Sequence, residues 1–181
     1  LAKIKLAAAK GDFSSIEAKF IYSFLSLWIE GNPHTAISYG HELRKMFPKN
    51  YHYGIMYVEC LILIGKNIEA QSLLEILENE LGFLTPVQQG WYHSYYLYEL
   101  ALFQFLNNSF EKSLINVNNA INNYGAELDI VLGNAWLLKG MIHDKDNNRD
   151  EAKRAYQECM TLDNRSSAMK KAKQFYEFKY K

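Results

Sequence analysis

Apolar residues recur at three- and four-residue intervals along most of this chain, the period of amphipathic helices. Only three prolines interrupt the pattern, Pro33, Pro48 and Pro86, so the fold is expected to be all-α. Glycine and asparagine punctuate the periodic runs at Gly31-Asn32-Pro33, Gly65-Lys66-Asn67, Asn107-Asn108-Ser109 and Asp146-Asn147-Asn148. Helices should stop there and short turns begin, because these residues accept the backbone conformations that end a helix. A second helical run follows each turn.

Five residues after the Gly or Asn of each turn stands a small residue. Gly31 leads to Ala36, Gly65 to Ala70, Asn108 to Ser113 and Asn147 to Ala152. A small side chain at that point lets the two helices of a hairpin approach closely. The four small residues lie 34, 43 and 39 positions apart, and self-similarity with a period of this size is the signature of a stacked repeat. The longer spacings predict extra residues around Gly82 to Trp91 and Tyr124 to Ile130, in loops between repeats where a solenoid tolerates insertion.

Over about residues 17–166 the chain resembles the tetratricopeptide repeat (TPR) family. Trp136, Gly140, Ala152 and Tyr156 carry the resemblance in the last copy, although Cys159 replaces the usual alanine and Asn164 the usual closing proline. Phe20, Gly31, Ala36 and Pro48 carry it in the first copy, where Phe24 stands at a usually small position and Gly40 at a usually aromatic one. The second copy keeps Gly65, Ala70 and Leu74. The third keeps Leu97, Ala101, Ser113, Val117 and Ala120.

The resemblance implies a right-handed superhelical α-solenoid forming a single domain over 1–181. Its repeats would run over about 17–50, 51–84, 94–127 and 133–166. Residues 1–13 read as a partial upstream helix. Residues 167–181 read as a final helix whose Lys170, Lys171, Lys173, Lys179 and Lys181 form a polar cap. The competing reading is an irregular helical bundle with Ala and Gly at ordinary helix contacts.

Composition narrows the function. With 181 residues, 49% hydrophobic and 22% charged, the chain can bury a core without metals or disulfides. Twenty basic and twenty acidic residues cancel, leaving no global positive field to draw the chain to nucleic acid. The longest nearly apolar stretch, Tyr53 to Gly65, is too short for a membrane span and contains Glu59, so no membrane insertion is expected. Cys60 and Cys159 read as reduced packing residues. The chain starts at Leu1 without Met, which leaves room for an upstream region or signal peptide and keeps cytoplasm and periplasm both open as compartments.

No chemistry stands out. His34, His41, His52, His93 and His143 are scattered without metal-ligand spacing. The string Asp144 to Asp150 is similar to the opening of a calcium loop, but Arg149 stands where glycine is needed and Ala155 where a bidentate glutamate is needed; it reads as a polar turn. Neither a Gly-rich phosphate loop nor a nucleophile elbow occurs. No catalytic residue, cofactor or metal is expected, and an enzyme acting through His41, His52 or His93 is the least favoured class.

The resemblance implies instead that the first helix of each hairpin lines a concave groove. Its inward positions would be Ala18, Ile21, Leu25, Trp28 and Ile29 in the first copy and His52, Ile55, Glu59, Ile62 and Leu63 in the second. They would be Tyr95, Tyr98, Leu102, Phe105 and Leu106 in the third, then Asn134, Leu137, Met141, Asp144 and Lys145 in the fourth. Lys145 is the one basic candidate, so a clamp for a partner's terminal carboxylate is not expected. So apolar a face calls for a cover.

The expected function is a scaffold holding a protein or peptide partner, a helix or extended segment, against Trp28, Ile55, Glu59, Tyr95, Tyr98, Phe105, Leu137 and Met141. The alternative is a structural or regulatory segment of a larger assembly. In that case the same residues are covered by their own chain or by a homodimer partner.

Overall fold

The computed structural model describes residues 1–11 and 15–181, so the end of the expected 1–13 helix lies outside the described residues. All regular structure among them is helical: α1 (Ala2–Lys10), α2 (Ser15–Phe24), α3 (Pro33–Met46), α4 (Tyr51–Leu63), α5 (Asn67–Leu81), α6 (Pro86–Leu106), α7 (Phe110–Asn122), α8 (Ile130–Lys145), α9 (Arg149–Thr161) and α10 (Ser167–Glu177). The chain divides into two compact units, Leu1–Phe83 and Leu84–Lys181. Within each unit helices pack mainly on their neighbours in sequence: α1 on α2, α2 on α3, α3 on α4 and α4 on α5 in the first, α6 on α7, α7 on α8, α8 on α9 and α9 on α10 in the second. None of the described helices is long and apolar enough to cross a membrane.

The four turns singled out by Gly31, Gly65, Asn108 and Asn147 share a left-handed residue. Each of these residues has positive φ, at 68°, 78°, 59° and 59°, a left-handed conformation natural to glycine and tolerated by asparagine. In the last three turns the next residue's amide reaches back five positions. Lys66 N–H donates to Leu61 O (2.9 Å), Ser109 to Gln104 (2.8 Å) and Asn148 to His143 (2.8 Å). This bond closes a Schellman C-cap and satisfies carbonyls the helix leaves open.

The residue after the turn then opens the second helix by accepting from the small residue. Ala36 N–H donates to Asn32 O (3.3 Å), Ala70 to Lys66 (2.9 Å), Ser113 to Ser109 (3.0 Å) and Ala152 to Asn148 (3.1 Å). All four small residues are 0% exposed. The turn conformation and the close helix contact are therefore coupled through a single hydrogen-bonded link.

The first hairpin departs by one residue. After Phe24 the helix continues as a π-turn, Leu25–Ile29, and the closing bond spans six positions, from Asn32 N–H to Ser26 O (2.7 Å). One inserted residue shifts the facing of everything before it. Ser23 rather than Phe24 accordingly occupies the small slot: it is 1% exposed, and its hydroxyl donates to Ala36 O at 3.3 Å. The same slot is filled in the third hairpin by Ala101, whose carbonyl accepts from the Ser113 hydroxyl at 2.7 Å. Phe24, which looked out of place, is displaced by the extra residue.

Three expectations about the second unit are corrected. The added residues around Gly82 to Trp91 do not form a long loop. Pro86 at the first helical position and a Thr85–Gln88 capping box start α6 early and extend it to 21 residues. Residues 167–181 are not one helix either, since α10 ends at Glu177 and Phe178 is extended (φ −119°, ψ 118°). Nor is α10 only a polar cap. Its Ala168 and Ala172 are buried in a core with Leu137, Ala152, Tyr156 and Cys159.

Gly140 on α8 creates the space for Tyr156 on α9, which is fully buried. A Cβ on residue 140 would lie 2.5 Å from Tyr156 Cδ1. Gly90 in α6 faces open space. The pair separates packing from helix propensity. Gly140→Ala is expected to destabilise the chain by about 1–3 kcal/mol through overpacking, whereas Gly90→Ala should gain about 0.5–1 kcal/mol. Chemical denaturation of both variants checks this; destabilisation by both, or by neither, would contradict the packing argument.

Candidate functional site

The structure buries most of the residues expected to line a groove. Trp28, Ile55, Glu59, Tyr95, Tyr98, Phe105 and Leu137 are each less than a tenth exposed, and Met141 is half-buried. What the expected inward positions leave accessible is Ile21 and Leu63 in the first unit and Leu106 and Lys145 in the second.

In the first unit Trp28 and Glu59 meet. The π-turn carries the indole to α4, where Nε1–H donates to Glu59 Oε2 at 2.6 Å, both side chains buried. A buried carboxylate needs such a donor, because removing its charge from water is costly. Phe24 packs edge-on against Trp28 (ring centroids 4.9 Å), and Phe20 against His52 (5.4 Å) and Tyr53 (5.8 Å). The His52 imidazole lies 6.1 Å from the Trp28 ring. Burial among these rings lowers its pKa from 6.5 to about 4, because the charged form loses hydration it cannot replace. Phe20 and Phe24 belong to this cluster and were missed as inward positions, since a straight helical register cannot anticipate the inserted π residue.

In the second unit Tyr95 is covered by Tyr124 from the α7–α8 connection. Their rings stack with centroids 6.0 Å apart and their hydroxyls lie 3.5 Å apart. Leu137 and Met141 pack under α10, in the core that includes Phe175 and Tyr176. Phe105 meets the Tyr180 ring at 6.0 Å.

The polar centre of this unit is Asp144, whose side chain is 0% exposed. Arg149 Nη1 donates to both of its oxygens (3.0 and 2.9 Å), the Tyr156 hydroxyl donates to Oδ2 (2.9 Å), and so does the Tyr180 amide (2.9 Å). Burial and the hydrogen bond to this carboxylate push the Tyr156 pKa upward. Arg149 Nη2 donates in turn to the Phe175 and Tyr176 carbonyls, both at 2.8 Å, satisfying the end of α10. The string read as a polar turn is thus a buried ion pair that ties α8 to α9, α10 and the C-terminal residues. Its one sequence signal was Arg149 in a place where a calcium loop would need glycine.

The histidines named as candidates have different surroundings within their own units. His41 and His93 are exposed in different units, and His52 is enclosed by aromatic rings. Cys60 and Cys159 are free and buried. The Cys159 thiol donates to Gly133 O (3.2 Å), and burial pushes its pKa to about 12, so it is not a reactive thiolate. Among the described residues no group of three or more His, Cys, Asp or Glu side chains is placed to hold a metal ion.

Two tests follow from these clusters. His52 takes up a proton more readily unfolded (6.5) than folded (about 4), so its contribution is complete above pH 6.5 and lost as pH falls towards 4. Between pH 7 and pH 5 the wild-type chain should lose about 1–2 kcal/mol more stability than His52→Gln; equal losses in denaturant titrations would refute this. Removing the Asp144 counter-ion strands a buried charge, so Arg149→Met should cost about 3 kcal/mol in the same assay, and a loss below about 0.5 kcal/mol would show the pair to be solvated.

No family model, no curated protein and no solved structure matches the chain.

Proposed function

We propose that this chain is a tetratricopeptide-like scaffold, a right-handed stack of helical hairpins that mediates protein–protein contact and performs no catalysis. The observation that carries the reading is the common construction of the four turns. A positive-φ residue, its successor's backbone bonds and a small residue with 0% exposure recur at Gly31/Ala36, Gly65/Ala70, Asn108/Ser113 and Asn147/Ala152. Repeated hairpins of this kind bury their apolar sides on each other and present a concave surface to a partner.

A structural role, with the inward face closed by the chain itself, is the second reading. A specific feature of the second unit favours it: Tyr124 on Tyr95, α10 on Leu137 and Met141, and Tyr180 on Phe105. Partner contact is then restricted to the inward positions still accessible, such as Leu106, which is 45% exposed at the end of α6.

A photo-crosslinking residue at Leu106, compared with one at Ile115 on α7 (56% exposed), tests the proposal in cells expressing the chain. Discrete crosslinked protein products from position 106 and none from 115 are expected. A product of twice the chain's mass would identify the partner as a second copy. Equal products from both positions, or none from 106, would overturn the scaffold reading.

A further inference from the structure

The last residues of the second unit leave α10 and fold back onto its other helices. Beyond α10 the backbone extends at Phe178, and Tyr180 returns to α6 and α8. Its ring lies 5.1 Å from Phe175 and 6.0 Å from Phe105 between centroids. The Lys145 ammonium sits 5.4 Å from the centre of the same ring, a cation–π arrangement. The Tyr180 amide donates to the buried Asp144 Oδ2 at 2.9 Å, and Lys179 Nζ donates to Asn147 Oδ1 at 2.6 Å.

Each contact carries a chemical preference for what fills the site. The rings of Phe105 and Phe175 with the Lys145 charge select an aromatic side chain. Asp144 accepts from a backbone N–H, which excludes proline there. Asn147, whose carboxamide projects from the α8–α9 turn, accepts a lysine at the preceding position. Phe105, Asp144 and Lys145 are all positions that the hairpin register assigned to the inward face.

From this we infer that the Phe105–Asp144–Lys145 face is a docking surface for an extended peptide carrying lysine followed by an aromatic residue, and that Phe178–Lys181 is its intramolecular occupant. The segment acts as a latch. Its hold is modest: Tyr180 is half-buried, Phe178 is 74% exposed, and Lys179 is exposed. Segments with few buried apolar contacts are the first to open, so a partner peptide of the same chemistry can take the place of Tyr180. The inference rests on the scaffold reading and names the class of partner for the second unit.

The test uses the full chain and a fluorescently labelled synthetic peptide of residues Glu177–Lys181. A tethered segment competes at an effective concentration in the millimolar range. Tyr180→Ala, which empties the ring site, should therefore bind the peptide at least about tenfold more tightly than the wild-type chain in fluorescence anisotropy. A peptide with alanine in place of the tyrosine should bind neither. Lys179→Ser, which loosens the latch without touching the buried residues, should give an intermediate affinity and guards against a folding defect in the first variant.

Equal affinities for wild type and both variants, or no binding by variants that retain the wild-type circular dichroism, would overturn the latch. Crosslinking at Leu106 without peptide binding would sink the latch and leave the scaffold standing. Peptide binding without any crosslinked partner would uphold the docking surface and sink the broader scaffold reading.

Discussion

The architecture depends on close approach between the two helices of each hairpin at a residue with almost no side chain. Such an approach is possible only where the chain reverses in a fixed geometry, and Gly31, Gly65, Asn108 and Asn147 supply it by accepting positive φ. The backbone bond from Ala36, Ala70, Ser113 or Ala152 to the residue after the turn then places the small side chain one turn into the second helix. Polar groups at the contact are satisfied from within it, as when Ser113 donates to Ala101 O and Ser23 to Ala36 O. Larger side chains follow from the space left: Gly140 admits the Tyr156 ring.

In each unit a buried carboxylate is met by donors from other elements of that unit. In the first, Glu59 is held by the Trp28 indole, which a π-turn has carried to it. In the second, Asp144 is surrounded by Arg149, Tyr156 and the Tyr180 amide. These networks tie together elements that apolar packing alone would allow to slide, because a buried carboxylate tolerates few arrangements of its donors. The Asp144 network also gives the residues after α10 a defined position, through the Tyr180 amide.

The distribution of aromatic residues has a related consequence. Rings that would form a sticky surface on an open stack are largely used inside the units, Tyr95 under Tyr124 and Phe105 under Tyr180. The accessible remainder, Ile21, Leu63, Leu106 and Lys145, is small and mixed in character. A partner would have to engage these edges or displace a covering segment. Both routes are compatible with a scaffold whose contacts are conditional.

Helical content, the four turn positions and the small residues that follow them were legible in the sequence, because local hydrogen bonding and side-chain size decide them within a few residues. The pairing of neighbouring helices follows from short turns and was legible for the same reason. The π insertion after Phe24, the early start of α6 and the end of α10 at Glu177 were not, since each shifts a register by a few residues without a distinctive composition. Whether an inward aromatic is surface or core was also beyond the sequence. Trp28 and Phe105 are suited to either, and only the tertiary structure, by bringing Glu59 and Tyr180 to them from 31 and 75 residues away, decides that they are covered. Local pattern determines which elements form. Long-range contact determines which of their faces remain exposed to water.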